Sequence, residues 1–409
     1  MSNGAWSRLL AWVDDRFPLS ELWNEHVARY YAPKNFNFWY YFGSLALLVL
    51  VLQILTGIWL TMHYKPSAAE AFGSVEVIMR DVEWGWLLRY MHSTGASAFF
   101  IVIYLHMFRA LLYGSYKRPR ELLWIIGMVL YLLLMAEAFF GYLLPWGQMS
   151  YWGARVITEL FGAIPWIGHE LVVWIRGDYG VTDATLNRFF ALHVIAVPLL
   201  LVGLVVAHLM ALHEVGSNNP GGIEIKHAKG ADGIPLDGIP FHPYYTVKDL
   251  VGVAVFLIAF FASVFFAPEM GGLFLEHNNF EPANPIKTPE YIAPLWYLTP
   301  YYSILRAIPD KLLGVAAMLA ALLILVFLPW LDRSPVKSIR YRGPLFKSAL
   351  AIFVVSFIGL GFLGTQSVSS VYILLARVFS ILYFAFFLLM PIYTRLDKDE
   401  PVPDRIGLR

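Results

Sequence analysis

Eight stretches of this chain are long and apolar enough to cross a bilayer, and that feature restricts the fold more than any other. Lipid offers no hydrogen bonds to the backbone, so a segment inside it must satisfy its own N–H and C=O groups. Runs of about 20 apolar residues do that as α-helices. The spans centre on residues 40–62, 84–112, 122–144, 188–212, 249–267, 311–331, 346–364 and 371–394. Composition agrees, with 58% hydrophobic and 14% charged residues among 409. A soluble domain carries about 25% charged residues. The net charge of +1 gives no sign of nucleic-acid binding. The chain has no cysteine, which excludes disulfides, zinc–thiolate sites and cysteine-ligated iron–sulfur clusters. Any metal must be held by His, Met or carboxylate.

Positive charge predicts the orientation. Lys117, Arg118 and Arg120 follow the second span, Lys226 and Lys229 the fourth, and Arg333, Lys337, Arg340, Arg342 and Lys347 the sixth. For eight alternating spans these loops share one side, expected to be the cytoplasm together with both termini. The opposite side carries two long loops, 145–187 and 268–310, rich in Pro, Gly and Trp. Long ordered loops of that kind are where sites are built. No internal repeat is visible. Residues 1–38 form an N-terminal segment without the apolar core of a secretory signal. Trp6, Leu9, Leu10, Val13 and Phe17 recur there at helical spacing, as a helix lying on the membrane surface or as a capping helix. Residues 39–225 hold spans one to four. Residues 226–409 hold spans five to eight, beyond the polar, turn-rich stretch 214–247.

Ionisable groups inside a bilayer are costly and call for a reason. The second span carries His92 and His106, fourteen residues apart, and the fourth carries His193 and His208, fifteen apart. At about 100° per residue each pair returns to one broad face, and fourteen residues rise about 21 Å. The two spans run in the same direction, so His92 can meet His193 near the outer surface and His106 can meet His208 near the inner one. Imidazole is a standard axial ligand, and two such pairs suit two haem irons. Gly43 and Gly57 on the first span, and Gly127 and Gly141 on the third, are each fourteen apart. Glycine lets a flat ring approach a backbone closely. The expected fold is therefore an all-α integral membrane protein: a di-haem four-helix bundle (spans one to four) with a four-helix C-terminal part. Glycine in membrane helices also serves plain packing. Arg89 and Arg109 lie one turn beyond His92 and His106, where haem propionates would emerge, a match for guanidinium groups. Snorkelling at the membrane ends is the competing reading.

These residues carry a resemblance to the cytochrome b of the cytochrome bc complex, the respiratory quinol:cytochrome c oxidoreductase. The strings are Gln53-Ile-Leu-Thr-Gly57, Arg89-Tyr-Met-His92, Gly141-Tyr-Leu-Leu-Pro-Trp-Gly-Gln-Met-Ser150, His213-Glu-Val-Gly-Ser-Asn-Asn-Pro220 and Phe241-His-Pro-Tyr-Tyr-Thr-Val-Lys-Asp249. The resemblance implies two b-type haems, two quinone sites, a Q-cycle that builds a proton gradient, a Rieske iron–sulfur subunit, a c-type cytochrome subunit and a homodimer. It implies that quinol, expected to be ubiquinol, is oxidised at an outer site. One electron then goes to the iron–sulfur partner and one through the outer and inner haems to quinone. Matched residue by residue, the outer site takes Phe139, Tyr142, Gly153, Ile157, Pro294, Trp296, Tyr297 and Tyr302. The inner, quinone-reducing site takes Ser44, His213, Ser217, Lys248 and Asp249, where a His–carboxylate pair near water supplies protons.

Two departures from the family pattern stand out. Its Pro-Glu-Trp-Tyr motif reads Pro294-Leu295-Trp296-Tyr297 here, so the glutamate expected to take the quinol proton is missing. Glu137 lies two residues before Phe139, on the outer half of the third span. It is the expected substitute, with quinol between Glu137, Tyr302 and the 294–297 segment; a carboxyl hydrogen-bonded inside the bundle is the alternative. The fifteen-residue histidine spacing is also unusual, since respiratory relatives have fourteen and plastid-type relatives fifteen. Pro198 lies between the ligands and would permit a local bulge. Eight spans in one chain favour the respiratory form. The absence of a targeting segment and the extra length favour a bacterial inner (cytoplasmic) membrane. Two other functions are open on the residues alone. A proton-coupled transporter would show broken helices at mid-membrane, and a di-haem anchor of another quinone-linked enzyme would leave the last four spans unexplained.

Overall fold

The computed structural model describes residues 4–407. Among them, eight helices are long and apolar enough to cross a membrane. We label them α1 (Phe38–Thr61), α2 (Gly85–Tyr113), α3 (Glu121–Leu143), α4 (Asp183–Val215), α5 (Tyr244–Phe266), α6 (Lys311–Leu331), α7 (Pro344–Gly364) and α8 (Ser370–Leu388). The chain is an all-α, multi-pass membrane protein, as the apolar runs predict. The starts of α4 and α5 come about five residues earlier than their apolar runs, because polar flanking residues complete the first turn outside the lipid. Apolar side chains face outward all along the spans. Leu55, Ile258, Val355 and Ile381 are exposed, as lipid-facing residues are.

Helix α1 packs on α2, α3 packs on α4, and α5 leans on α2 and α1. The second half of the chain pairs α7 with α8 around a short helix, Thr299–Ala307, that dips in from the outer loop. One apolar core joins the halves, with Phe100, Tyr131, Tyr297, Tyr301, Phe353 and Tyr383 in contact. Tyr131 donates to Tyr301 inside it at 3.0 Å, and Tyr383 to the Ala321 carbonyl at 2.7 Å. Buried hydroxyls without partners would each cost about 1–3 kcal/mol.

Helix α4 is not regular. Leu192–Ala196 forms a π turn, and Pro198 follows two residues later. Proline has no N–H to give the carbonyl four residues back. A π turn holds one extra residue without breaking the helix. The bulge expected between the histidines is thus present, and it contains His193. The spans remain continuous at mid-membrane, unlike the discontinuous helices a transporter would need.

Two features escape a hydropathy reading. A two-stranded antiparallel ribbon, β1 (Tyr31–Pro33) and β2 (Gly238–Pro240), ties the N-terminal segment to the 214–247 stretch. Asp237 beside it accepts from Lys34 at 2.9 Å and Arg405 at 2.6 Å, so three distant parts of the chain meet. Four of the basic residues that predict the orientation are also ion-paired. Lys117 meets Asp332 at 3.0 Å, Arg342 also pairs with Asp332, and Arg120 grips Glu224 through both nitrogens, at 2.5 and 2.9 Å. Lys337 joins Glu224 as well. Burial raises the Glu224 carboxyl, but hydrogen bonds from Arg120 and Lys337 outweigh it and hold the group down at about 2. These contacts weld the loops after α2, α4 and α6 into one plate. At the chain start, the helix Ala5–Asp14 leaves Trp6, Leu9 and Leu10 exposed.

Candidate functional site

The four histidines meet in two pairs. His92 of α2 and His193 of α4 have ring centroids 6.1 Å apart, with planes at 90°. His106 and His208 stand 6.4 Å apart, at 59°. An iron held by two imidazoles lies about 2 Å from each nitrogen and about 3 Å from each ring centre, which sums to about 6 Å. The pairing follows the parallel course of α2 and α4. Among the described residues no group of three or more His, Cys, Asp or Glu could hold a metal. Each pair offers axial donors alone, which suits a metal whose remaining ligands come from a macrocycle.

The other ring nitrogens are held from behind. His92 Nδ1 lies 2.9 Å from Thr56 Oγ1, whose own hydroxyl donates to the Leu52 carbonyl at 2.7 Å. Thr56 must therefore accept from His92, which fixes the proton on Nδ1 and leaves Nε2 free for a metal. His193 Nδ1 lies between the Glu137 carbonyl at 3.0 Å and the Glu137 carboxylate at 2.9 Å.

The glycines face the histidines one to one. A Cβ built at Gly43 would lie 3.6 Å from His106, at Gly57 3.3 Å from His92, at Gly127 3.3 Å from His208, and at Gly141 2.4 Å from His193. The nearest neighbours of these bare backbones are thus the imidazoles. Arg109 sits 4.9 Å over the Tyr40 ring, and its Nε is buried without a partner. A buried guanidinium nitrogen with no acceptor fits an anionic group such as a propionate. Arg89 borders the outer pair. Together these residues fit two haems.

The outer pair opens into a cavity of 250 Å³. Its lining includes Gly57, Arg89, His92, Glu137, Gly141 and His193 together with Tyr142, Leu275, Asn279, Leu295 and Tyr297. The remaining outer-site candidates are not among its lining residues. Phe139 packs edge-on against Phe189, Gly153 lies against the Tyr142 ring, and Trp296 donates to Ser97 at 3.1 Å. Pro294 and Ile157 are partly buried nearby in the chain. Tyr302 is turned to the Ile292 carbonyl at 3.4 Å, under the Arg306 guanidinium.

Glu137 borders the cavity; one carboxylate oxygen lies 2.9 Å from His193 Nδ1, and the second is buried without a partner. Its place on the cavity wall is the one that a role toward quinol needs, and the contact with His193 is a second feature of the same carboxylate. Another carboxylate, marked by no local sequence pattern, meets a wall residue. Glu276, in the outer loop, accepts from the Tyr142 hydroxyl at 2.8 Å. Burial pushes its carboxyl up to about 7, against the hydrogen bonds from its own N–H and from Tyr142. Only its position, nineteen residues before Leu295 in an ordered loop, could have drawn notice. Thr56 was legible as part of the Gln53–Gly57 string.

The inner candidates form two neighbouring clusters. His213 meets the Tyr30 ring edge-on at 4.8 Å, and Ser217 Oγ lies 3.1 Å from the Tyr30 hydroxyl. Lys248 donates to the Phe36 carbonyl at 2.8 Å, and Asp249 lies in hydrogen-bond reach of Ser44. The segment 30–36 that carries β1 bridges them.

Comparison with known proteins follows the same lines. Residues 27–216 match the family model described as Cytochrome b/b6/petB, and residues 282–384 match Cytochrome b(C-terminal)/b6/petD. The chain is 65% identical to cytochrome b of Allochromatium vinosum, over 97% of this chain and 98% of that one. It is 50% identical to cytochrome b of Rickettsia prowazekii, over 98% and 97%, and 47% identical to that of Solanum tuberosum, over 94% of each. A solved structure titled Hyperthermophilic respiratory Complex III superposes with a TM-score of 0.88 at 44% identity, covering 95% of this chain and 99% of that chain.

Proposed function

The chain belongs to the cytochrome b/b6 family and is a haem-binding core subunit of a quinol:cytochrome c oxidoreductase, and from that premise we propose which residues carry the haems and the two quinone sites. His92 and His193 ligate the outer haem, and His106 and His208 the inner one. The two pairs at 6.1 and 6.4 Å carry this reading. Bound there, the haems supply one-electron carriage across the membrane. The protein's part is to hold and tune. Thr56 and Glu137 orient the outer imidazoles through Nδ1, which raises ligand basicity. Arg89 and Arg109 receive the propionates. Gly43, Gly57, Gly127 and Gly141 make room for the rings.

The part of the cavity lined by Tyr142 and Tyr297 is the quinol-oxidising site, with Phe139, Gly153, Ile157, Pro294, Trp296 and Tyr302 shaping its surroundings. Quinone is reduced at the inner end, where His213, Ser217, Lys248, Asp249 and Ser44 gather at a water-facing edge and can deliver protons. Ubiquinol is the substrate we assign. The complex includes partner subunits, and we assign a Rieske iron–sulfur protein and a c-type cytochrome to that role, in a homodimer. The plate of ion-paired basic loops supports a cytoplasmic face with both termini on it, in a bacterial inner membrane. The exposed Trp6, Leu9 and Leu10 support a helix lying on that surface. Residues 1–38, 39–225 and 226–409 are then interfacial segment, haem bundle and C-terminal part.

The test is a reduced-minus-oxidised spectrum of the purified complex, resolved by redox titration. Two b-type components are expected. His193→Leu removes one and His106→Leu the other. Loss of the same component in both variants would overturn the pairing.

A further inference from the structure

Resting on the outer-site reading above, we propose that Glu276, acting through the hydroxyl of Tyr142, accepts the proton that quinol gives up at the outer site. Leu295 is buried on the cavity wall and has nothing to accept a proton with. Glu137 is held against the Nδ1 of a haem ligand. Tyr142 remains: it lines the cavity from the end of α3, and its hydroxyl donates to Glu276 at 2.8 Å. A tyrosine hydroxyl both donates and accepts, so it can pass a proton without holding one. Residues flanking Glu276 (Phe274, Leu275 and Asn279) form part of the same wall.

The transfer balances without a further reactant. The quinol O–H breaks as its proton goes to the Tyr142 oxygen. The proton already on Tyr142 goes to the Glu276 carboxylate. Quinol is left as the anion, ready to lose electrons, and Glu276 becomes a neutral acid. His277 and Asn278 on the same turn are exposed, so the proton reaches water within a residue or two. Two ionisable groups face Glu276, Tyr142 from α3 and Tyr297 from the loop. On its own segment Glu269 and His277 pair with each other at 3.6 Å. No cation is among these except His277 when protonated.

The sign of the pH dependence follows. Only the carboxylate accepts a proton, and burial has lifted this group from 4.5 to about 7. Quinol oxidation therefore rises with pH through about 7 and levels off above it.

The experiment uses the purified full complex with a soluble quinol, measuring kcat and KM from pH 5.5 to about 9, with haem spectra as a control for assembly. Glu276→Gln is expected to lower kcat about 100-fold at neutral pH and to abolish the rising limb, with KM and both haem signals little changed. Tyr142→Phe removes the same limb, and Glu276→Asp restores part of it. Glu137→Gln keeps it. An assembled Glu276→Gln or Tyr142→Phe complex with the wild-type limb overturns the proposal, as does loss of the limb in Glu137→Gln alone. Should Glu276→Gln not assemble, Tyr142→Phe and Glu276→Asp decide by the same criterion. A wild-type complex with both haems and no quinol oxidation would overturn the outer-site reading, and this assignment with it. The two failures are thus distinct.

Discussion

Replacing Gly141 by alanine should cost the protein its outer haem while sparing the inner one. The added Cβ would lie 2.4 Å from His193 Cε1, 2.8 Å from Nδ1 and 2.9 Å from Nε2. Two carbons rest at about 3.5–4.0 Å, so the imidazole must retreat by about 1 Å. It cannot rotate away freely, because Glu137 holds its Nδ1. A metal–imidazole bond is about 2 Å long, and a shift of half that length breaks it. The other three glycines grade the effect. At Gly57 and Gly127 the Cβ would sit 3.3 Å from its histidine, a shortfall of a few tenths of an ångström. Overpacking of that size costs about 1–3 kcal/mol, or roughly 5- to 150-fold in haem affinity. At Gly43 the distance of 3.6 Å is ordinary contact. The four alanine variants, expressed in membranes and compared by redox-resolved difference spectra, should rank Gly141 far worst and Gly43 near wild type. Gly57→Ala should weaken only the outer signal and Gly127→Ala only the inner. A Gly141→Ala protein with a full outer signal would refute the argument, as would a Gly43→Ala protein that loses its inner haem.

Glu137→Gln should raise the midpoint potential of the outer haem, because a neutral amide makes the His193 imidazole a weaker donor than a carboxylate does; redox titration should show the inner haem unmoved. Glu224→Gln should destabilise the ion-paired plate by about 3 kcal/mol, from a carboxyl held at about 2 against an ordinary 4.5. A lowered value means the stabilisation is complete above about 4.5 and fades as pH falls toward 2, so scanning calorimetry should show the variant less stable at neutral pH and the difference shrinking in acid.

Hydropathy and spacing made the haem bundle legible because both are one-dimensional. Eight apolar runs give eight helices, and histidines fourteen or fifteen apart on parallel helices must meet in pairs. What stayed hidden depends on contacts between distant loops. Glu276 meets Tyr142 across 134 residues, and no local pattern marks that approach. Glu137 lines the cavity, whereas Phe139, two residues on and about 200° round the helix, does not. Phe139 turns to Phe189 while Glu137 turns to His193. Loop lysines and arginines read as orientation signals, whereas burial in ion pairs makes them structural too.

The fifteen-residue spacing is the one irregularity that sequence and structure explain together. One π turn takes up one residue, so fifteen residues through Leu192–Ala196 bring His193 over His208 as fourteen would in a regular helix. Deleting Ile195, which is 60% exposed and faces outward, should therefore let the turn relax to an α-helix and leave both histidines in place. The residue upstream of Pro198 then loses its bulge, and the missing proline N–H costs at most one backbone bond. Both haem signals are expected to persist, with the outer one shifted slightly. If the deletion instead removes the outer haem and leaves the inner, the π turn holds His193 in a way that a regular helix cannot reproduce, and the equivalence of the two spacings fails.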